Sequence, residues 1–308
     1  MLGYFWHAEL ADRDPGVLHI ESPERSRVLS PENIFGADYQ RFYCQFDAKD
    51  SSILNLVHEP EYLLFVKNAA KNGVRFLDHG DTPVTPDIYY HSLLGASAGC
   101  VASDQIMTGR FRNAFCAVRP PGHHANGIRA LGFCVFNNIA IAARYSQKTH
   151  GFKKILIIDW DVHPGNGTSE IFWQDDSVFT LSFHQKGIFG SAGLATQIGA
   201  GQGEGFCRNV EMEPGVGGEE YLSIFEKVLE STLAFFPPEF ILISAGFDSH
   251  ARDLIGKMNL EAEHYRAMTC MIGSMGRSSK GIISILEGGY NVTALQESVV
   301  AHCQGLMS

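Results

Sequence analysis

The chain has 308 residues, of which 45% are hydrophobic and 19% are charged, and its formal net charge is −10. This composition predicts a folded protein with a large core and argues against a disordered chain. The negative charge disfavours direct nucleic-acid binding and suits a surface that attracts cationic substrates, although solubility alone also explains it.

The predicted elements alternate between helices and short apolar strands after an irregular stretch of about 50 residues. The predicted helices are 59–73, 88–108, 136–147, 217–236, 259–276 and one that follows Thr293, where TALQ fits a capping box. The predicted strands are 114–118, 154–158, 178–183, 240–244 and 281–286. This order predicts an α/β fold whose mainly parallel sheet is covered on both faces, in a single domain over 1–308.

Four of the five predicted strands are followed by residues that can bind metal or move protons. The segments after the strands are RPPGHHA (119–125), DWDVHPGNG (159–167), His184, AGFDSH (245–250) and EGGY (287–290). Because sites in open parallel sheets form beyond the carboxyl ends of the strands, we expect these segments to meet.

The segment DWDVHPGNG predicts a metal site. Asp161 and His163 are two residues apart, so in an extended chain both side chains project to one side, and Asp159 continues the pattern. Such a cluster at a buried strand end needs either a cation or a hydrogen-bond network. Asp248 is the natural third ligand, with His250 as an alternative. Two carboxylates and one imidazole suit Zn²⁺ or Fe²⁺ holding a reactive water.

Two further motifs offer proton-transfer groups. Neighbouring side chains point apart in helices and strands, so His123 and His124 can face one point only from an irregular segment, which Pro-Pro-Gly provides. They are candidates for proton transfer, although a structural turn is equally compatible with the motif. Tyr290, after two glycines, is a candidate hydrogen-bond donor to a developing oxyanion, and a turn with a packed aromatic ring is its alternative explanation.

The cysteines and the N-terminus indicate the compartment. The seven cysteines are scattered and none belongs to a CxxC pair, which predicts free thiols in a reducing environment. The first residues, MLGYFWHAEL, lack the basic start and long apolar core of a signal peptide, and no stretch approaches the roughly 20 apolar residues of a membrane span. We expect a cytoplasmic protein that does not enter a membrane.

Five motifs together resemble the zinc-dependent histone deacetylase superfamily in their order and spacing. They are RPPGHHA, LGFCVFNN (131–138), DWDVHPGNGT, AGFDSH and LEGGYN, and the similarity extends over nearly the whole chain. The superfamily includes bacterial deacetylase-like amidohydrolases and acetylpolyamine amidohydrolases, and it has a three-layer α/β/α arginase/deacetylase-like fold. Asn166 resembles the class II and bacterial branches, since nuclear relatives usually have Asp there.

The resemblance implies two kinds of metal site. One zinc ion would be bound by Asp161, His163 and Asp248, with Fe²⁺ possible in its place. Family members also bind structural potassium near the zinc, and the matching positions are Asp159, Asp161, His163, Ser182 and Phe183. A second, weaker potassium site would involve Phe172, Asp175 and Val178.

The resemblance also implies catalytic roles. His124 would act as general base and then as acid, with His123 as its electrostatic partner. Asp159 and Asn166 would orient His123 and His124 respectively. Tyr290 would polarise the acyl carbonyl together with the zinc.

A narrow substrate channel is the third implication of the resemblance. Its matching positions are Gly132, Phe133, Phe189, Gly289, Asp81 and Ile255. Ile255 aligns with a glutamate that selects polyamines in a relative, so an apolar residue there weakens a polyamine interpretation. Asp81 is a candidate acidic contact at the rim, and a turn before Pro83 is its alternative role.

The predicted activity is the hydrolysis of an acetyl amide on lysine side chains of proteins or peptides, with release of acetate. Deacetylation of acetylpolyamines or another small acetylated amine is the alternative. An arginase-type dimanganese hydrolase is a remote alternative, because Trp160 and Val162 are not metal ligands. A binding module without activity is disfavoured by the complete set of catalytic residues. The expected partner is an acetylated alkylamine, and a homo-oligomer is left open.

Overall fold

A single parallel sheet organises the molecule. A computed structural model describes residues 1–14, 16 and 18–308. Within these residues the strands are β1 (Leu2–Phe5), β2 (Tyr43–Cys44), β3 (Asn113–Cys116), β4 (Ile155–Asp159), β5 (Val178–Gln185), β6 (Cys207–Met212), β7 (Phe240–Ala245) and β8 (Ile282–Leu286). Their order is β2-β1-β3-β8-β7-β4-β5-β6, and every neighbouring pair is parallel.

Helices fill the connections between the strands. They are α1 (Ala8–Asp12), α2 (Glu24–Arg27), α3 (Pro31–Phe35), α4 (Pro60–Ala69), α5 (Ile88–Met107), α6 (Asn138–His150), α7 (Asn166–Ile171), α8 (Gly218–Phe235), α9 (Ala262–Met275) and α10 (Val292–Met307). Short 3₁₀ helices span Gly36–Arg41, Ser51–Leu56 and Gly201–Gly203. No helix in the described ranges has both the length and the apolar character needed to cross a bilayer.

The sheet is buried on both faces, which confirms the predicted three-layer α/β/α fold. Along β4, Ile155 and Ile157 belong to a core that includes side chains of α5 and α6, whereas Leu156 and Ile158 belong to a core with α8, α9 and α10. Successive strand residues point to opposite faces, so a fully apolar strand requires a helical layer on each side.

Three strands, the short helices α1, α2, α3 and α7, and one helix start differ from the sequence prediction. β1, β2 and β6 lie in segments where no strand is predicted, because β1 and β2 are short and the partly exposed β6 (CRNVEM) contains polar residues. The predicted TALQ capping box is wrong, since α10 begins at Val292 and the side chain of Asn291 accepts a hydrogen bond from the Ala294 amide. Asn is an effective N-cap because its side-chain oxygen satisfies a free amide of the first turn.

Strand register brings the carboxyl ends of the central strands together. Asp159, the last residue of β4, pairs with Ser182 of β5 and with Ser244 of β7. Ser244 in turn pairs with Ile285 of β8. The segments that follow these strands therefore begin side by side at one edge of the sheet.

Candidate active site

Asp161, His163 and Asp248 form a cluster at this edge. Their potential ligand atoms all lie within 4.8 Å of one another. His163 Nδ1 is 3.0 Å from Asp161 Oδ1 and 3.4 Å from Asp248 Oδ2. Both carboxylates are buried, so their charges need a compensating cation.

Backbone amides orient the two carboxylates of this cluster. The amides of His163 and Gly288 donate to the two oxygens of Asp161, over 2.9 and 2.8 Å. The Val162 amide donates to Asp248 Oδ1 over 2.8 Å, which leaves Asp248 Oδ2 buried without a hydrogen-bond partner among the described residues. An orphaned carboxylate oxygen beside a second carboxylate and an imidazole fits a divalent cation.

Glycines make room for this cluster. A Cβ on Gly288 would lie 2.1 Å from Asp248 Oδ2 and 2.5 Å from Asp161 Oδ2. A Cβ on Gly246 would lie 2.2 Å from Asp161 Oδ2. Side chains at these two positions would collide with the carboxylates, so the close packing of the backbone against Asp161 and Asp248 requires glycine.

The electrostatics of the cluster favour positive charge. Burial and the neighbouring Asp161 raise the pKa of Asp248 to about 7, although His163 opposes the shift. Burial lowers the pKa of His163, but its contacts with the two carboxylates raise it to about 10. The site therefore favours a cation, in the form of a proton or a metal ion.

His123 and His124 lie side by side with different partners, on an irregular segment as predicted. Their ring centroids are 4.0 Å apart. Nδ1 of His123 is 2.9 Å from Asp159 Oδ2, whereas Nδ1 of His124 is 2.7 Å from Asn166 Oδ1. The amides of Gly122 and His123 donate to Glu287 Oε2, which fixes the segment.

The pKa values of the two imidazoles consequently shift in opposite directions. Burial alone lowers the pKa of His123, but the charges of Asp159 and Asp161 raise it well above its ordinary value. Burial, with the positive charges of His123 and His163, lowers the pKa of His124. Because Asn166 Oδ1 accepts a hydrogen bond from Nδ1 of His124, the other nitrogen, Nε2, carries the lone pair that can accept a proton.

Tyr290 is held from two sides by residues that the sequence motifs did not single out. The amides of Tyr290 and Asn291 donate to Asp253 Oδ2 over 2.7 and 3.1 Å. The Arg25 guanidinium lies 4.8 Å from the Tyr290 ring centroid, and its Nε donates to the carbonyl of Gly289 over 2.7 Å. Burial keeps the pKa of Tyr290 well above its usual value, so its hydroxyl stays a donor.

A buried carboxylate connects these supports with the histidine segment. Glu21 accepts hydrogen bonds from Arg13, Arg25 and Arg119, over 2.8 to 3.2 Å. Arg119 immediately precedes the PPGHH segment, and Arg25 contacts Gly289. No local pattern identifies the role of Glu21, because Arg119 is 98 residues away and joins Arg13 and Arg25 only in the fold.

Two of the predicted channel aromatics border the catalytic candidates. The Phe189 ring stacks on His124, with centroids 4.4 Å apart. The Phe133 ring stands edge-on to Tyr290 at 5.8 Å. Gly132 packs against His124, since a Cβ there would lie 2.7 Å from Cδ2 of that ring. These contacts place aromatic and backbone surfaces around His124 and Tyr290.

Hydrogen bonds from backbone amides to side-chain oxygens fix the Gly132–Phe133 segment. Gly132 and Phe133 have φ values of 52° and 71°, and the latter conformation is uncommon for a residue other than glycine. The Gly132 amide donates to Asp78 Oδ2 and the Phe133 amide to Thr82 Oγ1. The loop that contains Asp81 therefore also supports Gly132 and Phe133, two of the predicted channel residues.

The remaining predicted site residues lie farther out or serve other contacts. Asp81 has an exposed side chain, and its carbonyl is 3.0 Å from Nε2 of His19. Ile255 is half-buried, and its amide donates to Asp253 Oδ1. Gly289 has a φ of 118° and a carbonyl bonded to Arg25. His250 lies outside the metal-ligand cluster, because its Nε2 instead lies 3.3 Å from Glu261.

The predicted potassium positions fall at two places near the sheet. Asp159 and Ser182 are neighbours across β4 and β5, and a cavity of about 10 Å³ borders both. The Ser182 hydroxyl is 2.8 Å from Nδ1 of His184. At the weaker site, the Asp175 carboxylate pairs with Arg144 over 2.6 Å, and the Asp175 amide donates to the carbonyl of Phe172.

Comparisons with known proteins agree with the motifs and the fold. Residues 19–306 match the sequence profile described as "Histone deacetylase domain". A solved structure described as the HD domain of HDA15 superposes with a TM-score of 0.89 at 32% identity, covering 100% of this chain and 89% of that chain.

Sequence relatives come from all three domains of life. A probable deacetylase from Archaeoglobus fulgidus is 34% identical over 94% of this chain and 81% of that protein. A histone deacetylase-like amidohydrolase from Pseudomonas aeruginosa is 36% identical over 89% and 73%. The polyamine deacetylase HDAC10 from Homo sapiens is 37% identical over 94% of this chain, which spans 44% of that protein. The chain therefore belongs to the histone deacetylase family of hydrolases.

Proposed function

We propose that this chain is a zinc-dependent deacetylase that hydrolyses the acetyl amide on lysine side chains of proteins or peptides. The observation that carries the proposal is the convergence of a three-residue cation site with a pair of differently charged imidazoles. His123 Nε2 lies 3.9 Å from Asp161 Oδ1, so the imidazole pair and the cation ligands face one space. The Tyr290 ring contacts Phe133, and Gly288, two residues before Tyr290, donates its amide hydrogen to Asp161.

Asp161, His163 and Asp248 are proposed to hold the metal. Their donor set of two carboxylates and one imidazole fits Zn²⁺, and the orphaned Asp248 Oδ2 provides a free ligand position. When bound there, the ion supplies a Lewis acid that polarises the scissile carbonyl and acidifies water.

The proton transfers are assigned to the two histidines. Nε2 of His124 accepts the proton of the attacking water, because Asn166 holds the Nδ1–H and leaves Nε2 free. The same nitrogen then returns the proton to the leaving amine. His123, paired with Asp159, supplies positive charge next to the developing negative charge.

Tyr290 is assigned to the acyl oxygen. Its raised pKa keeps the hydroxyl protonated, so it can donate a hydrogen bond as negative charge develops there. Phe133 and Phe189 are proposed to flank an alkyl chain that reaches this point. An apolar corridor suits the methylenes of lysine better than a charged polyamine backbone.

Acetylated polyamines or other small acetylated amines remain the second candidate. The human relative described as a polyamine deacetylase and the exposed Asp81 favour it. Ile255 disfavours it, since this half-buried apolar side chain offers no charge to a secondary amine. The net charge of −10 favours polyamines and basic peptides alike, so it does not separate the two candidates.

A side-by-side turnover assay tests the proposal. Acetyl-lysine peptides, longer acyl-lysine peptides and acetylpolyamines are compared by kcat/KM at one pH and one zinc concentration. We expect acetyl-lysine peptides to give the highest value. A higher value for acetylpolyamines would replace the first candidate by the second, and no turnover of any amide would contradict both. Tyr290→Phe serves as the control for background hydrolysis.

Three further features belong to the same proposal. Potassium would bind at Asp159, Asp161, His163, Ser182 and Phe183, supported by the small cavity beside Asp159 and Ser182. Residues 1–308 would act as one catalytic domain, because strands from Leu2 to Leu286 share one sheet. A cytoplasmic location is in keeping with seven free thiols.

A further inference from the structure

We propose a second, weaker divalent-metal site formed by His123, Cys134 and Glu287. One potential ligand atom of each residue lies within 4.8 Å of the others, and all three residues are buried. The donors come from three separate segments, after β3, before α6 and after β8. These donors lie next to the first cation site, because His123 Nε2 is 3.9 Å from Asp161 Oδ1.

Hydrogen bonds already orient two of the three donors. Asp159 holds Nδ1 of His123 at 2.9 Å, which leaves Nε2 as the free nitrogen and reproduces the usual carboxylate–histidine–metal arrangement. Glu287 accepts bonds from the amides of Gly122 and His123 and from the Ser244 hydroxyl. A carboxylate has about four acceptor positions, so Glu287 retains one for a ligand bond.

Cys134 supplies the donor that distinguishes this site from the first. Its Sγ lies 3.4 Å from the carbonyl of Gly132 and also near the backbone amides of His124 and Ala125. A sulfur, nitrogen and oxygen donor set selects Zn²⁺, Co²⁺ or Cd²⁺ over Mg²⁺ and Ca²⁺. The thiolate and the carboxylate together carry two negative charges, which balance one divalent ion in a buried setting.

Occupation of this site inhibits the enzyme. This consequence rests on the proposed function, in which His123 supplies positive charge beside the reacting amide. A metal on Nε2 of His123 occupies the edge of this ring that lies 3.9 Å from Asp161 Oδ1, so this edge no longer faces the reacting amide. Zinc beyond one equivalent therefore lowers turnover, whereas the first equivalent restores it.

Cobalt titration of the metal-free protein tests the site without using activity. A site of two carboxylates and one imidazole gives ligand-field bands alone, whereas a Cys134 ligand adds a thiolate-to-cobalt charge-transfer band in the near ultraviolet. We expect this band to appear with the second equivalent, after the ligand-field bands of the first equivalent have reached their full intensity. Cys134→Ser should remove the band and keep the first equivalent.

Two variants make the titration specific. Cys270→Ser is the matched control, because Cys270 is the one half-buried cysteine and would be the competing source of a thiolate band. Cys270→Ser should bind both equivalents of cobalt as the wild-type protein does. Glu287→Gln should weaken the binding of the second equivalent of cobalt and keep the thiolate band at high cobalt concentration. This variant tests the second site if Cys134→Ser does not fold.

These measurements test the second metal site independently of the proposed deacetylase activity. A charge-transfer band that survives in Cys134→Ser, or a wild-type protein that shows none beyond one equivalent, would overturn the second site. The cobalt spectra give this answer even for a protein without deacetylase activity. In an active protein, inhibition by excess zinc should disappear in Cys134→Ser and persist in Cys270→Ser.

Discussion

Asn166 Oδ1 lies 2.7 Å from Nδ1 of His124, in the position that Asp159 takes beside His123. Two adjacent imidazoles are thus held through the same ring atom by groups of different charge. A carboxylate favours a protonated ring, and a neutral amide leaves the ring able to accept a proton. This difference assigns one imidazole to electrostatics and the other to acid–base chemistry.

Removing the proton acceptor or the hydroxyl donor should reduce turnover without removing the metal. His124→Ala and Tyr290→Phe are each expected to lower kcat roughly 10²-fold or more, since neither side chain belongs to the cation cluster. Steady-state kinetics and metal analysis of the same preparations check this. Near-normal kcat in either variant would refute the role assigned to that residue.

Gly288→Ala should prevent metal binding while the fold persists. Its Cβ would lie 2.1 Å from Asp248 Oδ2 and 2.5 Å from Asp161 Oδ2, so the two carboxylates would have to move apart. Gly273→Ala is the matched control, because a Cβ there meets nothing within 4 Å. Metal content after dialysis against zinc is the measurement. Stoichiometric metal in Gly288→Ala would contradict the assigned ligands.

Asp253→Ala should disturb the position of Tyr290, because it removes the acceptor of two backbone amides. The carboxylate accepts hydrogen bonds from the amides of Tyr290 and Asn291, and bonds to a charged group are each worth about 1.5–3 kcal/mol. We expect kcat to fall roughly tenfold or more with metal content unchanged. Arg252→Ala, which removes an exposed ion pair with Glu297, should have little effect. Equal kinetics in the two variants would show that Asp253 does not position Tyr290.

Glu21 should make the fold sensitive to acid. Burial raises its pKa, but Arg119, Arg13 and Arg25 lower it to about 2. Because the folded pKa lies below the unfolded value of 4.5, the resulting stability is present above pH 4.5 and is lost as the pH falls toward 2. The contribution is about 3 kcal/mol.

Glu21→Gln provides the comparison for this prediction. It should lower the free energy of unfolding at pH 7 by roughly 3–5 kcal/mol, because buried guanidinium groups lose their partner. It should also reduce the loss of stability between pH 4.5 and 2 relative to wild type. Denaturant unfolding at several pH values measures both quantities, and parallel curves for the two proteins would contradict the account.

The fold was largely predictable because its central strands carry a local signal. The apolar runs at 154–158 and 240–244 predict buried parallel strands, and they match β4 and β7 within one residue at each end. Asp161 and His163 could also be identified from the sequence, because their two-residue spacing predicts that both side chains point to the same side of the chain. By contrast, β1 and β2 are short strands whose pairing with the rest of the sheet leaves no periodic pattern.

The supporting residues were not predictable for a related reason. Asp253 acts through backbone amides of Tyr290 and Asn291, and amides carry no sequence signature. Arg25 reaches the carbonyl of Gly289 across 264 residues of chain. Glu21 lies near Arg13 and Arg25 in sequence, but Arg119 is 98 residues away and joins them only in the fold. Long-range contacts of this kind require the fold itself.

The dependence of turnover on metal, measured on one preparation, shows whether the cluster of Asp161, His163 and Asp248 holds the catalytic ion. The protein is assayed on an acetyl-lysine peptide as purified, after chelation and dialysis, and after addition of one equivalent of Zn²⁺. The account predicts about one divalent ion per chain, loss of turnover on chelation and recovery with the added zinc. Full turnover by a protein shown to contain no metal would contradict it.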